Sequence, residues 1–382
     1  MAHPGLDPDV IYCDYNATTP VDPRVSAAAW PYFSGFFGNP STSSPYAEGP
    51  RRALRVARRQ VAELLGAGPE EIVFTSGGSE SDTMAVRGVA VPGGGHVVTQ
   101  VTEHPAVLRS CESLERLHGV RVTYLPVDAD GLVDPLDLEA ALTPRTRLVS
   151  IMLANGETGV VQRVAELAEI AHRRGALFHT DAAQAVGKIP VSVAELGVDL
   201  LTVAGHKLYA PKGVGALFVR RGVSLEPTIY GGGQERGLRA GTENVAYAVA
   251  LGAAAEIAAG EVDREGGRLR GLRDLLHRRL SALLPGRVLL NGHTGRRLPG
   301  TLNISVSGTG GSALLAATPG IAAATGSACH TGEPDPSGVL LAMGLGHERA
   351  RGAVRLSLGR WTTRPEVEAV ARLLAESARR LG

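Results

Sequence analysis

The stretch Glu71-Ile72-Val73-Phe74-Thr75-Ser76-Gly77-Gly78-Ser79 decides how the rest of the chain is read. Its first five residues predict a strand, apolar enough to be buried on both faces, and 79–90 predicts a helix directly after it. Small residues and hydroxyls fill the turn between them. At such a junction backbone N–H groups and the helix dipole can hold a phosphate, although an ordinary glycine-rich turn capped by Ser79 has the same spelling.

Outward from that stretch the pattern repeats. Strands are predicted at 96–99, 120–127, 147–153, 176–180 and 200–204, separated by helices that include 104–118, 134–142 and 164–174. Nearly continuous apolar strands alternating with helices predict an α/β fold, a mostly parallel sheet with helices on both faces. The run 215–219 follows 200–204 after a short loop, which predicts an antiparallel pair. Past about 262 the pattern changes to an amphipathic helix at 263–284, strand-like runs at 288–291 and 301–306, and a last helix at 364–381. The expected organisation is a large domain over 17–262 and a smaller α+β domain made from 1–16 and 263–382. Parallel sheets carry their sites at the carboxyl ends of the strands, so chemistry is sought there.

Composition narrows the function classes. At 382 residues, 44% hydrophobic and 20% charged, the chain has enough apolar content for one large and one smaller core. Its 39 basic and 38 acidic residues leave a net charge of +1 with no basic block, which argues against a nucleic-acid partner. Three cysteines, Cys13, Cys111 and Cys329, are too few and too scattered for a disulfide framework or a metal knuckle, and no metal is expected. No secretory pattern opens the chain, and no uninterrupted apolar run reaches the roughly 18 residues of a membrane span. A cytoplasmic protein is the expectation.

Several residues at predicted strand ends carry chemistry. Lys207, in Gly205-His206-Lys207, follows the strand at 200–204 and can form an imine with an aldehyde cofactor if burial or nearby charge lowers its pKa; a surface lysine opening a loop fits equally. Asp181, in Asp181-Ala182-Ala183-Gln184, ends the preceding strand. A buried carboxylate there would keep the ring nitrogen of pyridoxal 5'-phosphate (PLP) protonated, while a helix N-cap is the plainer reading. His104 ends another strand and can stack on an aromatic ring. Cys329, in Gly326-Ser327-Ala328-Cys329-His330, sits in an Ala/Gly-rich stretch where a nucleophile would be accessible. Cys13 and Cys111 lie in apolar patterns and read as inert packing residues. Arg355 falls within a strand-like alternation and can grip a carboxylate in bidentate fashion, or lie on an edge strand in solvent.

The order of these motifs is more specific than any one of them. From Tyr12-Cys13-Asp14-Tyr15-Asn16-Ala17-Thr18-Thr19-Pro20, through Gly231-Gly232-Gly233-Gln234-Glu235-Arg236 and Arg239-Ala240-Gly241-Thr242-Glu243-Asn244, to Leu358-Gly359-Arg360-Trp361-Thr362-Thr363, the chain resembles the class V aminotransferase-type PLP enzymes. Within them it is similar to the cysteine desulfurases and selenocysteine lyases. The opening segment, the 231–236 and 241–244 motifs and the Cys329-His330 pair lean towards the selenocysteine-lyase-like branch.

The resemblance implies the PLP-dependent transferase fold of type I and removal of sulfur from L-cysteine, or selenium from L-selenocysteine. The products would be L-alanine and a persulfide on Cys329. It implies Lys207 as the Schiff-base lysine, Asp181 as partner of the ring nitrogen, and His104 as a stacking and proton-transfer residue. Gln184 would serve the ring's phenolate oxygen, with either Asn155 or a water making the contact that Gly156 cannot, or the ring's electronics differing, while Gly78, Ser79 and His206 hold the phosphate. Thr242 would reach the phosphate of a second subunit, so a homodimer is implied. Arg355, with Asn155 and Asn16, would bind the substrate, and a sulfur-acceptor protein would take the product. Two positions depart from the family pattern. Gly156 stands where many relatives have Asn, so no side chain reaches the cofactor from there, and Ala204 stands where many desulfurases have a phosphate-binding Ser. The chain ends soon after its last helix, so no C-terminal docking tail for a scaffold protein is expected. A β-lyase or aminotransferase acting on another amino acid is the competing enzyme reading.

Overall fold

The computed structural model describes residues 3–325 and 336–382. Cys329 belongs to the segment 326–335 and lies outside the described residues. After a short β1 (Ile11–Tyr12), seven strands form the central sheet: β2 (Ile72–Thr75), β3 (His96–Gln100), β4 (Arg121–Leu125), β5 (Thr146–Ser150), β6 (Leu177–Asp181), β7 (Leu200–Ala204) and β8 (Gly215–Val219). Their order is β2-β8-β7-β6-β5-β3-β4. The pairs among β4, β3, β5, β6 and β7 are parallel, and β8 runs antiparallel to both β7 and β2. The reversed strand is the one the short loop after 200–204 predicts.

Why these runs form a covered sheet is visible in their two faces. Ile72, Phe74, Val149, Phe178 and Leu201 join one core, whereas their neighbours Val73, Leu148, Leu200 and Leu217 join another on the opposite face. The first core is closed by helices Glu48–Leu65, Val164–Arg173 and Val245–Leu283, and the second by Gly78–Ala90 and Pro105–His118. Each apolar side chain that becomes fully buried adds about 1.5–3 kcal/mol, so both faces must be covered. Turn chemistry sets where β2 stops. Gly77 has φ +153°, a backbone that a side chain resists, and it opens the helix Gly78–Ala90.

A second, antiparallel sheet has the order β12-β10-β9, from β9 (Val288–Leu290), β10 (Thr301–Val306) and β12 (Ala353–Ser357). It shares a core with Leu276, Leu280, Val370 and Leu374, and β11 (Ile321–Ala322) pairs in parallel with β1. The helix expected at 263–284 is the second half of one continuous helix, Val245–Leu283. Its first half is Ala-rich and its second Arg/Leu-rich, so periodicity in either half alone hides the continuity. Ala248, Leu251 and Ala255 serve the large core, and Leu269, Leu276 and Leu280 the small one. Among the described residues this is the one helix long and apolar enough to cross a membrane by length and composition, but half of that window is buried inside the fold. It is a core helix.

Candidate active site

A cavity of about 650 Å³ opens at the carboxyl ends of the parallel strands. Asn16, Gly78, Ser79, His104, Asn155, Asp181, Gln184, His206, Lys207 and Arg355 all line it. Residues 16 and 355 are thus brought together with 78 and 207 by the fold alone.

Lys207 stands in the tight turn Gly205–Lys207 that follows β7. Its Nζ donates to the backbone oxygens of Asn16 (2.6 Å) and Ala17 (2.7 Å). Burial, helped by the Arg355 guanidinium, lowers its pKa to about 8, against a smaller opposing pull from Asp14 and Asp181. An amine so tuned loses its proton readily and becomes a nucleophile near neutral pH. It is not a surface lysine.

Asp181 ends β6 and is buried. One carboxylate oxygen accepts the Ala183 N–H at 2.8 Å, but that bond closes a turn and the next helix begins only at Val193, so Asp181 is not a helix N-cap and its side chain faces the cavity. Asp82, His104 and Asp181 place ligand atoms within 4.8 Å of one another. Burial raises the pKa of both aspartates, and Asp82 Oδ1 is a buried oxygen without a hydrogen-bond partner. Glu103, also buried, has its pKa raised by burial and then by Asp181, and one of its oxygens is unpartnered. Crowded carboxyls with so little positive charge are costly. A protonated ring nitrogen seated against Asp181 would relieve them, and in this respect the residues fit PLP. Beneath them His179, bonded to Ser150 Oγ (2.8 Å) and Thr202 Oγ1 (3.1 Å), is pushed to a pKa of about 3 by burial and stays neutral.

His104 caps the helix Pro105–His118, its Nδ1 accepting the Ala106 N–H at 3.1 Å. That bond leaves Nε2 to carry the ring proton, and burial keeps the imidazole neutral by lowering its pKa. On the phosphate side, Gly78 and Ser79 form the first turn of their helix and present free N–H groups. His206 Nδ1 meets Thr18 Oγ1 at 3.1 Å, and burial takes its pKa down to about 4. Thr242 does not line the cavity; it is exposed in the loop before Val245–Leu283.

The opposite wall comes from the N-terminal segment and the small sheet. Arg355, on β12, donates through one terminal nitrogen to Asp14 Oδ1 (2.6 Å) and through the other to the Gly156 oxygen (3.1 Å). Its Nε is buried without a partner. Asn16 Nδ2 donates to Gly156 O (3.1 Å) and Thr301 Oγ1 (2.9 Å). Asn155 braces its own loop: its Oδ1 accepts the Glu157 and Thr158 N–H groups at 2.9 Å, and its Nδ2 donates to Thr102 O at 3.2 Å.

Asp14, Thr18, Asp82, Glu103 and Lys188 escape sequence reading. Asp14 and Thr18 lie inside the quoted opening motif, which is their only signal. Asp82 is spaced one helical turn from Ser79, on the same face, a pattern that could have revealed it. Cys13 and Cys111 are fully buried, and desolvation raises each thiol to about 12, so both are inert at neutral pH.

Comparison with known proteins agrees with this geometry. Residues 11–370 match the family described as Aminotransferase class-V. A cysteine desulfurase of Trichormus azollae is 47% identical over 376 residues, covering 97% of this chain and 94% of that protein. A solved NifS-like protein superposes with a TM-score of 0.89 at 36% identity, covering 96% of this chain and 98% of that one. The structure titled SspA in complex with cysteine gives a TM-score of 0.80 at 35% identity, covering 93% and 100%. None of these three carries the selenocysteine-lyase name towards which the motifs lean. With a lysine of lowered pKa facing a buried aspartate in a NifS-like fold, the chain belongs to the class V aminotransferase family, among its PLP-dependent cysteine desulfurases.

Proposed function

We propose that this protein removes sulfur from L-cysteine, releasing L-alanine and leaving the sulfur as a persulfide on Cys329. The observation that carries the reading is the single cavity in which Lys207, its pKa lowered to about 8, faces buried Asp181, with Arg355 on the opposite wall. PLP, bound there, supplies an electron sink for the substrate α-carbon. Lys207 would hold its aldehyde carbon, Asp181 its ring nitrogen, His104 its ring face, and Gly78, Ser79 and His206 its phosphate.

The remaining work falls to the chain. Arg355 is fixed by Asp14 and keeps its buried Nε for a substrate carboxylate, with Asn16 and Asn155 beside it. Lys207, once released, moves the α-proton, since its pKa of about 8 lets it both take and give a proton near that pH. Cys329 as thiolate attacks the substrate sulfur; an S–S bond forms, the Cβ–S bond breaks, and its electron pair goes to the carbon that becomes the alanine methyl after protonation. Pro336, Gly338 and Val339 line the same cavity.

The same chemistry extends to L-selenocysteine, where selenium leaves more easily than sulfur. Thr242, exposed and away from its own cavity, supports a homodimer in which it serves the partner's phosphate. Such a dimer would cover part of the apolar surface at Trp30, Phe37 and Tyr230, each more than two-thirds exposed. The division into 17–262 and 1–16 with 263–382, a cytoplasmic location and a sulfur-acceptor protein complete the reading. The test is mass spectrometry after incubation with cysteine: the persulfide should sit on the Cys329 peptide, with alanine released. A Cys329→Ala variant that makes alanine and sulfide at the full rate would reject the persulfide step, and pyruvate as product would make the protein a β-lyase.

A further inference from the structure

Behind Gln184 lies a second lysine that no step above uses. Lys188 is half-buried four residues along the chain, and its Nζ donates to Gln184 Oε1 at 2.6 Å and to Asn16 Oδ1 at 2.9 Å. Both acceptors are neutral amides. An amide end can be seated either way round, and the two seatings present opposite hydrogen-bonding character to the cavity. A lysine nitrogen offers N–H groups to both partners, so the oxygen of each amide must turn towards it.

The consequence for Gln184 is specific. With Oε1 held by Lys188, Nε2 is left to donate, and one of its N–H groups goes to Asn16 O at 2.9 Å. The other remains for the cavity that Gln184 lines. Asn16 is oriented by the same contact: its Oδ1 faces Lys188, so its Nδ2 donates to Gly156 O and Thr301 Oγ1, and its backbone oxygen accepts from Lys207 as well. Gly156 completes the arrangement, because a Cβ there would lie 2.9 Å from Gln184 Nε2.

We infer that Lys188 is a positioning residue that locks Gln184 with its N–H side towards the cavity, making it the donor to the phenolate oxygen of the bound ring. The inference rests on the PLP reading above and deepens it. Burial and the neighbouring charges of Lys207 and Arg355 lower the pKa of Lys188 well below the ordinary lysine value. The lock is strict while the nitrogen is charged, because an ammonium has no lone pair with which to accept from an amide N–H.

The experiment reads the visible absorbance band and the PLP dissociation constant of the loaded enzyme. Lys188→Met should shift the band in the same direction as Gln184→Leu and weaken PLP binding about fivefold, the scale of one neutral hydrogen bond. Lys188→Arg, which still only donates, should restore both to near wild type. In a Gln184→Leu background, Lys188→Met should add nothing. Gln184→Glu keeps an acceptor for Lys188 but has no N–H to give, so it should be as damaging as Gln184→Leu; this variant needs no change at Lys188 and keeps the test sharp if Lys188→Met misfolds. A wild-type band in Lys188→Met or in Gln184→Glu would overturn the lock, as would additive effects in the double variant. An unchanged band in Gln184→Leu would remove the contact itself, and a wild-type protein with no visible band would reject the PLP reading separately.

Discussion

The two walls of the cavity are built in different ways. On the sheet wall, Asp181 and Lys207 each stand at or just past a strand end, and His104 and Ser79 open helices that follow strands. Backbone geometry a few residues away places every one of them. The opposite wall is assembled from contacts 140 to 341 residues apart in sequence: Asn16 to Gly156, and Arg355 to Asp14 and Gly156. On the proposed reading, Lys207, Asp181 and His104 on the sheet wall take part in the chemistry, and the assembled wall orients the substrate. A change on the first should remove chemistry, and a change on the second should weaken placement.

Lys207→Ala gives the largest expected effect. The visible band of the loaded enzyme should vanish and alanine release should fall by at least ~10³-fold, the scale of losing a reacting group. Asp181→Asn follows, with a fall of roughly 10²-fold, because the ring nitrogen loses its buried anion. If Arg355→Gln on the assembled wall matched these losses in kcat, the division between the walls would break. Its expected signature is a rise in KM of about 10- to 100-fold, as for loss of a charge-assisted carboxylate contact, with kcat much less affected.

The walls also meet electrically, and pH shows it. Lys207 in the folded chain has a pKa of about 8, so PLP uptake by the apoprotein should rise with pH through a midpoint near 8 rather than near the ordinary lysine value of 10.5. Because the folded amine holds its proton less tightly than the unfolded one, apoprotein stability should also increase as pH rises from about 8 towards 10.5. Arg355→Gln removes a neighbouring positive charge and should move the uptake midpoint upward; stopped-flow binding across pH checks both statements. The smallest effect is expected at Gly156→Ala, where the new Cβ crowds Gln184 Nε2 and should weaken PLP binding by about two- to fivefold.

Most of the fold and half of the site are legible in the amino-acid sequence. The strands at β2, β3, β6, β7 and β8 announce themselves because continuous apolar runs need cover on both faces, and the turn after each must carry small or polar residues. Lys207 and Asp181 are readable for the same reason, since a titratable group straight after a buried strand has few places to go. The continuous helix Val245–Leu283 is not legible, because its Ala-rich first half serves one core and its Leu-rich second half another. Asp82 is signalled only by its spacing from Ser79, and Glu103 by nothing: no chain of letters marks a carboxylate as buried beside another.

The sequence by itself determined the alternating strands and helices, the order of the motifs and the candidates for the reacting groups, because these depend on side chains close together along the chain. Only the tertiary structure decided that Asn16, Gly156 and Arg355 share one cavity with them, and that Lys188 stands behind Gln184. Which end each amide turns to Lys188, and how far Lys207 is held below its ordinary pKa, depend on distances of a few ångströms between distant segments. Packing sets those distances, and no local pattern encodes them.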